Sequence, residues 1–306
     1  MPEPLKIACI GTGTVGRSWA RAFAEAGHCV TLHDANGGVA REAVRLLQAE
    51  LPHRAAAFTC AASLEAALQG ACYVQESGPE SLAIKRNLFE AMNAVAGPET
   101  LFGSSTSTLP GSSFLCGLHI SARSLVVHPT NPPHLVPLVE LCRTGETSDE
   151  TLDAVRAIMR GCGQTPVEIR KEIFGFALNR LQAALVAEAL RLVSDGVISP
   201  TDLDKVVTDG LGLRWAASGP FETGHFNAPG GYAEYMGKFR SVWAALFDAI
   251  GASCGIDEDL VRRIDGDLRG SLGQQPDRAL AARDDLLRAL RAVQRNTKDS
   301  EGDEVA

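Results

Sequence analysis

The sequence predicts an α/β chain, with a doubly wound parallel sheet at the N-terminal end followed by an all-helical C-terminal domain. Three observations carry that prediction. An apolar strand at 5–10 runs into the glycine turn Gly11-Thr-Gly13-Thr-Val-Gly16, and a helical pattern follows at once. Strands and helices then alternate as far as residue 169, the order that covers both faces of a parallel sheet with helices. Beyond Gly175 the two-residue alternation does not return, and a helical stripe of Leu178, Leu181, Leu185 and Leu192 begins.

The elements follow in order. The first helix spans 17–26, with Trp19, Ala20, Phe23 and Ala24 on one face, and Gly27 ends it. A second strand at 29–33 is closed by Asp34. A helix at 38–51, an unpatterned connection over 52–59 and a short helix at 63–69 lead to a strand at 71–76. Gly78-Pro79 turns the chain into an amphipathic helix at 81–94, and a strand at 101–104 empties into the hydroxyl-rich run 104–108. The stretch 126–140 holds two apolar runs separated by a proline-rich interruption, with His128 ending one and Glu140 the other. A helix at 149–160 and a strand at 166–169 complete the first domain. Helices at 176–194, 201–209, 228–249, 257–268 and 278–294 make up the second, and 210–219 reads as a turn carrying Arg214. The domains therefore divide as 1–173, 174–296 and an acid-rich loose tail at 297–306.

The chain has 306 residues, enough for two domains, and 45% hydrophobic against 22% charged residues describes an ordinary globular composition. A net charge of −8 without a basic block speaks against a nucleic-acid partner. No apolar stretch approaches membrane-spanning length, so no membrane partner is expected. The eight cysteines are scattered, without a C-x-x-C pair, as buried free thiols of a reducing compartment would be. No cluster of metal ligands is visible, and the cytoplasm is the expected location.

The glycine turn is specific because of its setting. A strand precedes it, a helix follows, and Asp34 lies eighteen residues past Gly16. This is the dinucleotide fingerprint of a Rossmann-type sheet. Gly11 allows the tight turn, Gly13 lets backbone approach a pyrophosphate, and Gly16 lets helix and strand pack. The helix N-terminus, with Thr14 and Val15, offers free N–H groups to the phosphates. Asp34 would accept hydrogen bonds from the adenosine ribose and repel a 2′-phosphate, so NAD is expected over NADP.

His128 and Glu140 are a histidine and a carboxylate on two strand ends that could lie side by side, as a base and its orienter would. The alternative is a satisfied structural histidine. The hydroxyls of 104–108 sit where open α/β sheets bind ligands, or else cap the next helix.

The sequence resembles the 3-hydroxyacyl-CoA dehydrogenase superfamily, and within it the members that oxidise small free 3-hydroxy acids such as L-gulonate or carnitine. The runs that carry the likeness are Gly11-Thr-Gly-Thr-Val-Gly-Arg-Ser-Trp-Ala20, Ser104-Ser-Thr-Ser-Thr108, His128-Pro-Thr-Asn-Pro-Pro133 and Asn179-Arg-Leu-Gln182. The runs 199–204 and 210–214 extend it. The resemblance implies a catalytic set of Ser107, His128, Glu140 and Asn179, with His128 the general base and Glu140 its orienter. Ser107 and Asn179 would hydrogen-bond the reacting oxygen. It further implies cofactor contacts from Asp34, Glu80, Lys85, Ser107 and Asn131, and a homodimer through the helical domain. Arg214 would bind a substrate carboxylate, in place of the ordinary surface role an arginine there could have. The expected reaction is NAD-dependent oxidation of a 3-hydroxyl, with L-gulonate to 3-dehydro-L-gulonate first in order. Carnitine or a 3-hydroxyacyl-CoA is the alternative substrate, and an NAD-binding structural protein the alternative class.

Overall fold

The computed structural model describes residues 3–252, 257–272 and 276–303. Its backbone divides into two compact units, 1–183 and 184–306.

The first unit is built on an eight-stranded sheet in the order β3-β2-β1-β4-β5-β6-β7-β8. The strands are β1 (Lys6–Ile10), β2 (Cys29–His33), β3 (Phe58–Cys60), β4 (Tyr73–Glu76), β5 (Leu101–Ser104), β6 (Ser124–Pro129), β7 (Leu138–Cys142) and β8 (Thr165–Ile169). The helices between them are α1 (Thr14–Glu25), α2 (Gly37–Glu50), α3 (Leu64–Leu68), α4 (Leu82–Val95) and α5 (Asp149–Gly161). Strand order reverses beside β1, which opens a crevice at the carboxyl ends of β1 and β4.

Alternation along β1 shows why the sheet needs two covers. Ile7 and Cys9 join Trp19, Phe23 and Val155 in one core, while Ala8 and Ile10 join Phe89, Met92 and Phe102 in the other. Both sets are shielded from water, as a strand with two buried faces requires. Two parts of the sheet differ from expectation. The connection over 52–59 contains the edge strand β3, paired with β2 from Val30↔Phe58 to Leu32↔Cys60. Only Phe58 of its three residues is buried, too little for an alternating pattern. The sheet is also not parallel throughout, because β6 and β7 pair antiparallel. That pairing sets His128 directly opposite Glu140 within the ladder, where two adjacent strand ends were expected.

The second unit is helical. α6 (Leu178–Ser194) begins in the first unit, which ends within it at Ala183. α7 (Pro200–Lys205) opens on a Ser199 cap, whose hydroxyl accepts from Asp202 N at 3.1 Å. A π-helical segment, Val206–Leu211, carries it into α8 (Gly212–Ala217). Arg214 therefore lies on a helix, where a turn was expected from its glycines: neither Gly210 nor Gly212 takes a positive φ, so neither ends the helix. α9 (Pro220–Phe226) and α10 (Tyr232–Ala249) flank the turn at Gly231, which has φ +83°. α10 thus starts later than residue 228. α11 (Glu258–Leu272) and α12 (Pro276–Asp303) follow. α12 runs through most of the segment expected to be a loose tail. Residues 304–306 lie outside the described residues.

The seven described cysteines are free, but Cys29, Cys60, Cys72 and Cys116 are exposed, against the expectation that such thiols are buried. Cys254 lies outside the described residues. Burial pushes the Cys142 and Cys162 thiols up to about 12. Among the described residues no helix is long and apolar enough to cross a membrane, and no group of side chains has the make-up of a metal site.

Candidate active site

The dinucleotide turn has the geometry its glycines imply. Gly11, at φ +88°, would bring a Cβ to 2.6 Å from the Ser77 carbonyl oxygen. At Gly16 a Cβ would lie 1.9 Å from the Gly11 carbonyl oxygen, so helix and turn touch there backbone to backbone. Gly13 is different. A Cβ there meets nothing within 4 Å, so its missing side chain keeps a cradle open in front of α1. No side chain caps that helix and no acid stands in its first turn, which leaves its N–H groups and positive end to an anion. Asp34 is fixed beside the turn: its Oδ2 accepts from Thr12 N at 2.9 Å and Thr12 Oγ1 at 3.2 Å, and its Oδ1 from Asn36 N at 3.0 Å. A cavity of about 720 Å³, lined by Gly11, Gly13, Asp34, Ala35, Val39 and Ile84 among others, adjoins it. An apolar slot with a carboxylate at its rim and an open glycine cradle fits the adenosine and pyrophosphate of NAD.

At β6 and β7 the imidazole and carboxylate meet. His128 Nδ1 is 2.7 Å from Glu140 Oε2, and both residues are nearly inaccessible, at 4% and 1%. The other oxygen of Glu140, Oε1, accepts from the backbone N–H groups of Ala177 and Leu178, each at 2.9 Å. Those amides are at the start of α6, whose positive end favours a carboxylate. Burial raises the affinity of Glu140 for a proton. The hydrogen bonds from His128, Leu178 and Ala177 outweigh it, and the carboxyl is held below its ordinary value. With an ionised acceptor at Nδ1, the neutral ring carries its proton there and leaves the Nε2 lone pair free. Phe176 closes one side, its ring centroid 5.5 Å from that of His128. Its φ of +48° is uncommon for a bulky residue and turns the chain into α6.

Ser107 and Asn179 are also brought together. Asn179 Nδ2 donates to the Ser107 carbonyl at 2.7 Å, while Ser107 N donates to Glu80 Oε1 at 3.0 Å. The same Glu80 oxygen accepts from the Thr106 hydroxyl at 2.8 Å and from Thr108 N at 2.9 Å. Glu80 thus holds the hydroxyl-rich turn, a job the sequence pattern did not assign it. Burial raises its pKa, but the Thr106 and Thr108 bonds and the Lys85 charge prevail and lower it. Lys85, expected at the cofactor, is 1% exposed in this structure, with its ammonium 3.0 and 3.1 Å from the two oxygens of Glu76 and 3.8 Å from Glu80. Glu76, missed by the sequence reading, is fully buried and also accepts from Ser104 Oγ at 2.5 Å. Its signal was available, as a carboxylate ending an apolar strand. Ser105 joins a polar knot under the turn, accepting from Gln75 Nε2 at 2.7 Å and Trp19 Nε1 at 3.2 Å.

Asn131 is exposed in the loop between β6 and β7. That loop is pinned to α1 by His134, whose Nδ1 lies 2.6 Å from Ser18 Oγ and whose backbone N donates to it at 3.3 Å. Arg214 belongs to the second unit, on α8.

A dinucleotide turn selecting NAD, together with a buried imidazole–carboxylate pair in the same unit, defines an NAD-dependent dehydrogenase acting on a hydroxyl group. The NAD-binding domain of 3-hydroxyacyl-CoA dehydrogenase matches residues 6–173, and the C-terminal domain of the same family matches 175–261. The chain belongs to the 3-hydroxyacyl-CoA dehydrogenase family. It is 43% identical to the lambda-crystallin homolog of Bos taurus over 242 residues, 74% of this chain and 75% of that protein. It is 32% identical to the L-carnitine dehydrogenase of Streptomyces griseus over 324 residues, 98% of this chain and 94% of the other. Among solved structures, an NAD+-dependent 5-formyl-3-hydroxy-2-methylpyridine 4-carboxylic acid 5-dehydrogenase superposes with a TM-score of 0.72 at 25% identity. That match covers 97% of this chain and 99% of the other.

Proposed function

We propose that this chain oxidises the 3-hydroxyl of a small free 3-hydroxy carboxylate, with L-gulonate, giving 3-dehydro-L-gulonate, as the first substrate to test. The observation that supports the reading is the His128–Glu140 pair, because a carboxylate anchored by the Ala177 and Leu178 amides and bonded to Nδ1 suits Nε2 to act as the base. A secondary alcohol releases hydride readily only as its proton leaves. Nε2 of His128 takes that proton, Glu140 stabilises the imidazolium, and a base so placed contributes about 10² to 10⁴ in rate. Ser107 and Asn179 hydrogen-bond the reacting oxygen. NAD, when bound, supplies the hydride acceptor. Gly11, Gly13, Thr14, Val15, Gly16 and Asp34 bind it from the turn, and Glu80, Ser107 and Asn131 complete its contacts, while Lys85, buried against Glu76, supports Glu80 from behind. Arg214 is the proposed carboxylate partner, since its planar guanidinium offers two parallel donors.

A second substrate, L-carnitine, is favoured by the 32% identity to a carnitine dehydrogenase and by two exposed aromatic side chains that follow Arg214 in the chain. Trp215 and Phe221 are 40% and 50% exposed, and a quaternary ammonium binds aromatic faces. A homodimer is supported by the exposed Leu190, Val242, Leu246 and Ile250 of the second unit. The net charge of −8 supports the absence of a nucleic-acid partner, and the free cysteines support a cytoplasmic location.

The test is NADH formation from L-gulonate, L-carnitine, 3-hydroxybutyrate and 3-hydroxybutyryl-CoA, scored by kcat/KM, with Arg214→Met beside the wild type. The proposal expects the highest value for a free acid and a loss shared between KM and kcat in the variant. A preference for the CoA ester refutes the substrate class. Binding of NAD with no turnover of any of them favours a structural, crystallin-like role.

A further inference from the structure

Arg17 is the fourth residue of α1, and its N–H donates to the Gly13 carbonyl at 2.9 Å, closing the first turn of the helix. Helical side chains lean back towards the N-terminus, so this one lies over the turn that faces the cofactor. The cavities on either side agree. Arg17 lines one of about 460 Å³ with Thr12, Gly13, Thr14 and Asn36, and another of about 300 Å³ with Thr14, Ser18, Pro132 and His134.

The position is electrostatically adverse. A cation in the first turn of a helix opposes the positive end of the dipole. No acid in that turn offsets it. Among the described residues the half-buried Arg17 guanidinium has no hydrogen bond or ion pair of its own. Glu42, a carboxylate that the Arg17 charge acts on, is held by Arg45 through bonds of 2.8 and 2.6 Å. A pair of phosphates laid against the open Gly13 cradle would relieve this arrangement. A guanidinium forks onto phosphate oxygens as it does onto a carboxylate.

We propose that Arg17 binds the cofactor pyrophosphate, adding a side-chain charge to the backbone amides of the glycine turn. Dinucleotide affinity in this chain then depends on Arg17 as well as on Asp34, through the opposite end of the adenosine diphosphate. The inference rests on NAD as cofactor and is independent of which hydroxy acid is oxidised.

The experiment measures binding without turnover: calorimetry of ADP-ribose and adenosine, and fluorescence titration of NADH and NADPH, on the full chain and on Arg17→Met and Arg17→Lys. Loss of charge-assisted hydrogen bonds is expected to weaken ADP-ribose and NADH in Arg17→Met by about ten- to a hundredfold. Adenosine should bind unchanged, Arg17→Lys should recover part of the loss, and affinity in Arg17→Met should depend less steeply on salt. Unchanged ADP-ribose binding overturns the proposal. So does an equal loss of adenosine, which would mean that Arg17 only shapes the slot, or a loss confined to NADPH. None of these outcomes bears on the substrate assignment, which the kcat/KM panel tests separately.

Discussion

Glu140→Gln changes one atom type at the dyad and is expected to stop the chemistry without dismantling the site. The glutamine carbonyl can replace Oε1 and keep both hydrogen bonds from Ala177 and Leu178, at 2.9 Å each. The reverse orientation would set its NH₂ against two N–H donors. The amide nitrogen therefore falls where Oε2 now lies 2.7 Å from His128 Nδ1. An NH₂ group only donates, so Nδ1 must become an acceptor and the ring proton moves to Nε2. The base is then in the wrong tautomer. In the serine-protease triad the corresponding exchange costs about 10⁴ in kcat, and a positioned base contributes about 10² to 10⁴, so a fall in that range is expected here. Loss of the charged acceptor should remove about 1.5–3 kcal/mol of stability, or several degrees in Tm. NADH affinity should not change. Steady-state kinetics, calorimetric melting and NADH titration measure the three quantities. A folded variant whose kcat stays within about tenfold of wild type refutes the assignment of His128 as base.

Two glycines of one turn should respond in opposite ways. Gly13→Ala places its methyl in open space, so stability should stay within about 0.5 kcal/mol of wild type while NADH binds at least about tenfold more weakly. Gly16→Ala sets a Cβ 1.9 Å from a carbonyl oxygen and should cost about 1–3 kcal/mol or more of stability. Melting curves beside NADH titrations separate the two, and equal behaviour contradicts the roles given them. Stability should also fall in acid. Glu140 and Glu80 are both held below 4.5, their value when unrestrained. The unfolded chain therefore protonates them first, and their contribution is complete above pH 4.5 and lost as pH falls below it. Urea midpoints against pH should show a shallower acid slope for Glu140→Gln, and an unchanged slope would contradict the depressed Glu140.

What could be read from the sequence was whatever leaves a local pattern. The glycine spacing, the acid at Asp34 and the apolar runs around His128 and Glu140 each follow from backbone rules acting over a few residues. Edge strand β3 did not show, because its three residues take their register from β2 and not from a pattern of their own. The helical setting of Arg214 was hidden by glycines that punctuate most sequences but do not end this helix. At the dyad, the side chains were visible and their supports were not. Ala177 and Leu178 act through backbone N–H groups, which every residue but proline possesses, so no residue type announces them. The role of Glu80 depends on a turn brought to it from Thr106 to Thr108, and that of Glu76 on Ser104, across a strand pairing that sequence spacing does not reveal.

The central claim is that His128 takes the substrate proton within an NAD-dependent oxidation, and His128→Asn tests it most directly. Single-turnover hydride transfer from the best substrate of the panel should fall by at least about 10², while the variant binds NADH as wild type does. Hydride transfer at the wild-type rate in a folded, NADH-binding His128→Asn protein would contradict the account.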